Sequence, residues 1–129
     1  MAPSVAPGLL ESFLPRDRCI ALASGRAIPD VVTGTAVFAD ISGFTPLTEE
    51  IVRTHGAHRG AEELTRTLNG VYEQIIGDVT AHGGVVMYLS GDAITCWFDG
   101  DDGAAAVQSG LDMQRSMTAL GDERLALKV

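Results

Sequence analysis

The sequence predicts an α/β fold, of the α+β kind, with helices on one face of a single sheet, and three observations predict it. Val31 to Ala39 and Val85 to Leu89 are apolar runs rich in β-branched residues, each leading into small or acidic turn formers. Between them lies a long stretch with apolar residues at three- and four-residue spacing. Ala93 to Phe98, a further apolar run, follows the turn Ser90-Gly91-Asp92 at once and reads as the second half of a hairpin. The order is therefore β-α-α-β-β-α-β, the opening of a ferredoxin-like layer.

The elements follow in order. Residues 1–7 read as a loose tail rich in Pro and small residues. Gly8 to Leu14 suits a short helix ended by Pro15, and Arg16 to Ser24 a second closed by Gly25. The apolar Leu9, Leu10, Phe13, Leu14, Ile20 and Leu22 need a surface to cover. Ala27 to Asp30 is a linker, so residues 1–30 form an N-terminal helical segment and 31–129 the main domain. Val31 to Ala39 reads as a buried strand. Thr45 before Pro46 predicts an N-cap with proline at the first helical position, and that helix fades at His55-Gly56.

A longer helix runs from Arg59 to Ala81, with Ala61, Leu64, Leu68, Val71, Tyr72, Ile75, Ile76 and Val79 as its inward stripe, and His82-Gly83-Gly84 ends it. After the hairpin, Asp101 or Asp102 caps a helix over Ala104 to Leu120, with Val107, Leu111, Met117 and Leu120 facing inward. Gly121 and Asp122 turn the chain into a last strand over Leu125 to Val129.

Composition narrows the function. At 129 residues and 46% hydrophobic content the chain can build one real core, and it has no room for two. A net charge of −8 leaves no basic stripe for nucleic acid. An acidic protein that binds nucleotides generally does so through a cation. Neither a long apolar span nor a charged-then-apolar leader is visible, so no membrane partner is expected and a cytoplasmic location is the default. Cys19 and Cys96 belong to no CxxC or Cys/His cluster and read as reduced and structural.

Chemistry concentrates at two turns. Val37-Phe38-Ala39-Asp40-Ile41-Ser42-Gly43-Phe44-Thr45-Pro46 delivers one carboxylate at a strand end, and Tyr88-Leu89-Ser90-Gly91-Asp92-Ala93 delivers another 52 positions later. Two acids from two strands suggest a hard cation. Ser42 and Gly43 are small enough to let backbone close on a ligand, and the N–H groups of a helix start suit phosphate oxygens. Other polar clusters read as ordinary surface. His55 and His58 have no third zinc ligand nearby, Asp99, Asp101 and Asp102 lack the EF-hand spacing, and Trp97 and Phe98 are strand core.

Those two stretches carry a resemblance. Phe38 to Glu49 resembles the first metal-binding motif of the class III adenylyl and guanylyl cyclases, and Gly84 to Ala93 resembles their second, a hairpin with Gly-Asp at its tip. The likeness covers roughly residues 33 to 129 and implies an incomplete nucleotide cyclase fold. Family members continue with a further helix and strands that carry the Asn and Arg acting on ribose and leaving phosphate. It implies adenylate cyclase activity, ATP to 3′,5′-cyclic AMP and pyrophosphate, with ATP or GTP as substrate. Two divalent cations, Mg²⁺ or Mn²⁺, are implied on Asp40, Asp92 and the Ile41 carbonyl, and a triphosphate on the amides from Ser42 through Gly43 and Phe44 to Thr45.

Tyr88 stands where adenine-selecting members often carry a lysine. Family sites form between two domains, so the resemblance implies a second cyclase domain as partner, in the same parent chain or across a dimer, with this one the metal-holding member. A degenerate, regulatory cyclase homology domain is the competing reading. A diguanylate cyclase is disfavoured, because Ser90-Gly91-Asp92-Ala93 lacks the second acid of that family's turn.

Overall fold

A computed structural model describes residues 14–122 and 124–129. Helix α1 (Arg16–Ala23) precedes β1 (Gly34–Ser42), α2 (Phe44–Ala81), β2 (Val85–Ser90), β3 (Ala93–Asp99), α3 (Ala104–Leu120) and β4 (Ala126–Lys128). The strands form one antiparallel sheet in the order β2-β3-β1-β4, the ferredoxin-like arrangement expected from the element order. The helix expected over Gly8 to Leu14 falls almost wholly outside the described residues.

Strand β1 holds the centre, paired with β3 from Gly34 to Asp40 and with β4 from Asp40 to Ser42. Its side chains alternate: Val37, Ala39 and Ile41 are buried, while Ala36, Phe38 and Asp40 are exposed. A wholly buried strand over Val31 to Ala39 was the expectation. Instead the strand starts at Gly34 and runs on to Ser42, with Val31 and Val32 exposed ahead of it. The reason is that α2 and α3 cover one face only, which leaves an antiparallel sheet half-solvated. The core combines Val37, Ala39 and Ile41 with Ile94, Cys96 and Phe98 of β3, Val71, Ile75 and Val79 of α2, and Met113 of α3. Each large side chain there contributes roughly 1.5–3 kcal/mol of burial.

Helix α2 is two limbs. Gly56, at φ 77 and ψ 167, breaks it where His55-Gly56 was expected to end a helix. The limbs pack closely, for a Cβ on Gly60 would sit 3.1 Å from Val52 Cα. The α2 stripe is largely as expected, with Ala61 and Ile76 left exposed.

Helix α3 is rotated from expectation. Ala106, Ser109, Gly110, Met113 and Met117 are buried, whereas Val107 (64% exposed), Leu111 (49%) and Leu120 face away from the core. Small residues face inward because the helix lies close to its neighbours, Gly110 having room for a Cβ only 3.2 Å from Val129 Cγ1. Val107 and Leu111 instead line a groove of about 570 Å³ beside β1, walled also by Ala36, Phe38 and Val129. On α1 the buried residue is Ala21, while Ile20 and Leu22 stay exposed. Asp101 caps α3 as expected, accepting bonds from the Ala105 and Ala106 amides at 3.0 and 3.1 Å, and Asp102 accepts from Ala104.

Two outcomes follow. Since the Ile41 N–H points to β3 and strand residues alternate, the Ala36 and Phe38 N–H groups point to the edge that β4 leaves open. Hydrogen–deuterium exchange will therefore be fast at Ala36 and Phe38 and slow at Val37 and Ala39. The Ser109 hydroxyl is buried with no partner, so Ser109→Ala will raise unfolding free energy by about 1 kcal/mol in denaturant titration.

Candidate functional site

At the end of β1 the backbone sets Asp40 beside the turn that carries Asp92. Asp40 pairs with Ala93, and one residue on the Ile41 N–H donates to the Asp92 carbonyl at 2.9 Å. The return bond, from the Asp92 N–H to the Ile41 carbonyl, is not among those made by the described residues. That carbonyl points to the same side as its own N–H, toward the turn. Asp92 itself follows Gly91 in a two-residue turn between Ser90 and Ala93, with Gly91 at φ 61.

Both carboxylates lie in exposed residues, neither packed away among hydrocarbon. Asp40 projects from the face of the sheet opposite α2 and α3, in a row with Ser90, Ala93 and Lys128. Lys128 is a cation beside Asp40 that sequence reading did not pick out; only the β1–β4 register reveals it. Among the described residues no group of three His, Cys, Asp or Glu side chains gathers. Two carboxylates and a carbonyl form a hard-oxygen donor set that suits Mg²⁺ or Mn²⁺, which keep several waters or phosphate oxygens of their own. His55 and His58 are exposed in α2.

The helix start differs from expectation. Helix α2 begins at Phe44 with Gly43 as its N-cap at φ 98, so Thr45 lies inside the first turn and gives no side-chain cap. Gly43 is small because of the protein itself. A Cβ there would meet the Arg124 carbonyl oxygen at 1.8 Å. Close approach of the segment before β4 sets this residue. Arg124 is tied down in turn by Glu50 of α2 at 2.7 Å and by Asp122 at 2.7 and 2.8 Å. Arg124 holds the Asp122 carboxyl below its usual range. Ser42 is half-buried, its hydroxyl 3.4 Å from the Ala126 carbonyl, and Phe44 packs against the core.

Two tyrosines flank the hairpin. Tyr88, 64% exposed, projects from the same face as Asp40, in a row with Thr95 and Phe38. Tyr72, expected only as part of the α2 stripe, donates its hydroxyl to the Gly91 carbonyl at 2.6 Å. Burial, and secondarily the charge of Asp92, hold its phenol above the ordinary tyrosine pKa. Its one legible signal was a polar tip within an otherwise apolar stripe. Elsewhere, His82 ends α2 as expected and gains a partner, Asp112 of α3, at 2.7 Å. Cys19 and Cys96 are not joined in a disulfide, and burial pushes Cys96 up to about 11.

No family model matches the chain. It is 38% identical over 69 residues to adenylate cyclase type 10 of Homo sapiens, and 39% identical over 61 residues to that of Rattus norvegicus. Those stretches cover 54% and 47% of this chain but only 4% of either relative.

Among solved structures, a bacterial light-regulated adenylyl cyclase superposes with a TM-score of 0.67 at 22% identity, over 92% of this chain and 37% of that one. The adenylyl cyclase CyaB from P. aeruginosa superposes with a TM-score of 0.57 at 28% identity, over 72% and 51%. The fold is that of these cyclase domains. Sequence and structure together support a nucleotidyl cyclase catalytic domain of the class III kind.

Because residue 43 combines a left-handed φ with backbone contact, Gly43→Ala will cost about 3 kcal/mol or more in denaturant unfolding. Gly91→Ala, with open space around it, will cost about 1–2 kcal/mol.

Proposed function

We propose that this chain is the metal-holding member of a nucleotidyl cyclase pair, converting ATP to 3′,5′-cyclic AMP and pyrophosphate. One observation supports the reading: the Ile41–Asp92 backbone bond holds the turn that carries Asp92 against the strand end that carries Asp40, beside a helix start with no side-chain cap. In this reading Asp40 and Asp92 hold two divalent cations, with the Ile41 carbonyl as a third protein oxygen. Bound there, the cations would favour the ribose 3′-alkoxide and neutralise the β- and γ-phosphates. The amides from Ser42 to Thr45 receive phosphate oxygens, favoured by the positive end of α2. Tyr88 offers the base a neutral hydroxyl rather than a lysine charge.

The second cyclase domain, from the same parent chain or a dimer partner, would cover the exposed face that carries Phe38, Tyr88 and Asp40. The solvated aromatic side chains of Phe38 (68% exposed) and Tyr88 support that choice. The open β1 edge and its groove support a domain whose sheet accepts one more extended segment there, as an incomplete cyclase domain would. No helix among the described residues is long and apolar enough to cross a membrane. The competing reading, a regulatory cyclase homology domain without turnover, is favoured by Tyr88.

Mixing the chain with a cyclase domain that carries the base-contacting lysine, under Mn²⁺-ATP, separates the two. Cyclic AMP will form in the mixture, not with the chain alone, and will fall by about two orders of magnitude or more in Asp40→Ala or Asp92→Ala. Equal cyclic AMP from wild type and Asp40→Ala, or none from any mixture, overturns the catalytic reading.

A further inference from the structure

The hairpin tip that carries Asp92 is a two-residue turn built on a positive-φ glycine and exposed to solvent, a poor mount for a ligating carboxylate. Two hydrogen bonds from outside the hairpin hold it. The Ile41 N–H of β1 binds the Asp92 carbonyl at 2.9 Å, and the Tyr72 hydroxyl of α2 binds the Gly91 carbonyl at 2.6 Å. These are successive carbonyls, so the two peptide planes that flank the Asp92 Cα are tethered, one to the helix layer and the other to the sheet.

We propose that Tyr72 is a positioning residue for the metal-holding acid: its hydroxyl, fixed by α2, clamps the Gly91 carbonyl and so fixes where the Asp92 carboxylate stands. This inference rests on the proposed role of Asp92. It goes beyond that role by assigning a part to a helix residue whose ring packs against the core and whose hydroxyl leaves it. The tether matters because ligands must be held within about half an ångström of their working geometry. A carboxylate on a free two-residue turn would have to be ordered at the moment of binding.

Tyr72→Phe removes the hydroxyl and keeps the ring, so the packing against the core persists. Binding of Mn²⁺ with 3′-deoxy-ATP, which cannot cyclise, is measured by electron paramagnetic resonance on wild type, Tyr72→Phe and Asp92→Asn, with unfolding midpoints and amide exchange at Asp92 and Ala93. Tyr72→Phe is expected to weaken Mn²⁺ binding about fivefold to tenfold and to speed exchange at the tip by about tenfold.

A merely structural role would lower the unfolding midpoint and leave Mn²⁺ affinity unchanged. That outcome, with Asp92→Asn still impaired, overturns the inference and leaves the cyclase reading intact. Equal Mn²⁺ affinity in wild type and Asp92→Asn instead overturns the reading on which the inference rests.

Discussion

One backbone hydrogen bond, from the Ile41 N–H to the Asp92 carbonyl, sets the relation on which the site depends. It extends the β1–β3 ladder one step past the Asp40–Ala93 pair and holds the turn against the strand end. Strand side chains alternate, so a slip of one residue in β1 would send Asp40 to the helix face and bring Ile41 into water. Ile41, fully buried, and its neighbours Val37 and Ala39 prevent that slip. Hydrophobic register and acid placement are thus one constraint: the residues that fill the core decide where the carboxylate goes.

The charges around the site divide into two kinds. Arg124 is bound to Glu50 and Asp122 and serves the architecture, closing the segment before β4 onto the first turns of α2. Asp40 and Asp92 are solvated, so the folded protein carries their charge without a large desolvation cost. Lys128, in the same row as Asp40, is the basic side chain that the sheet register brings nearest.

The fold and the site were legible to different depths, for physical reasons. The order of elements followed from periodicity, because core formation imposes a period of two on strands and nearly four on helices. The pairing of Asp40 with the Asp92 turn followed from the hairpin and from resemblance. The rotation of α3 did not, because hydrophobicity alone favours Val107 and Leu111, while close packing admits only Ala106, Ser109 and Gly110. Gly43 was read as room for a ligand, and the fold adds a neighbour that sequence does not show, the Arg124 carbonyl, 81 positions away. The Tyr72 bond to Gly91 is likewise long-range: a tyrosine in an apolar stripe announces its ring, and only the tertiary structure shows where the hydroxyl lands.

The sheet face away from α2 and α3 is itself divided along the strands. At the end where β1 begins, α1 and the linker after it stand over Met87, Trp97 and Asp99, enclosing a cavity. In the middle lies the row of Phe38, Thr95 and Tyr88, with both aromatic side chains in solvent. At the far end lie Asp40 and the Asp92 turn. Helix α1 therefore leaves the aromatic row uncovered, and Asp40 sits at the rim of that uncovered part. A site built at a rim gains its enclosure only when something is laid across the aromatic row, so binding across that row and enclosing the acids would be one event. That coupling follows from strand alternation and the placement of α1, whatever the partner's identity.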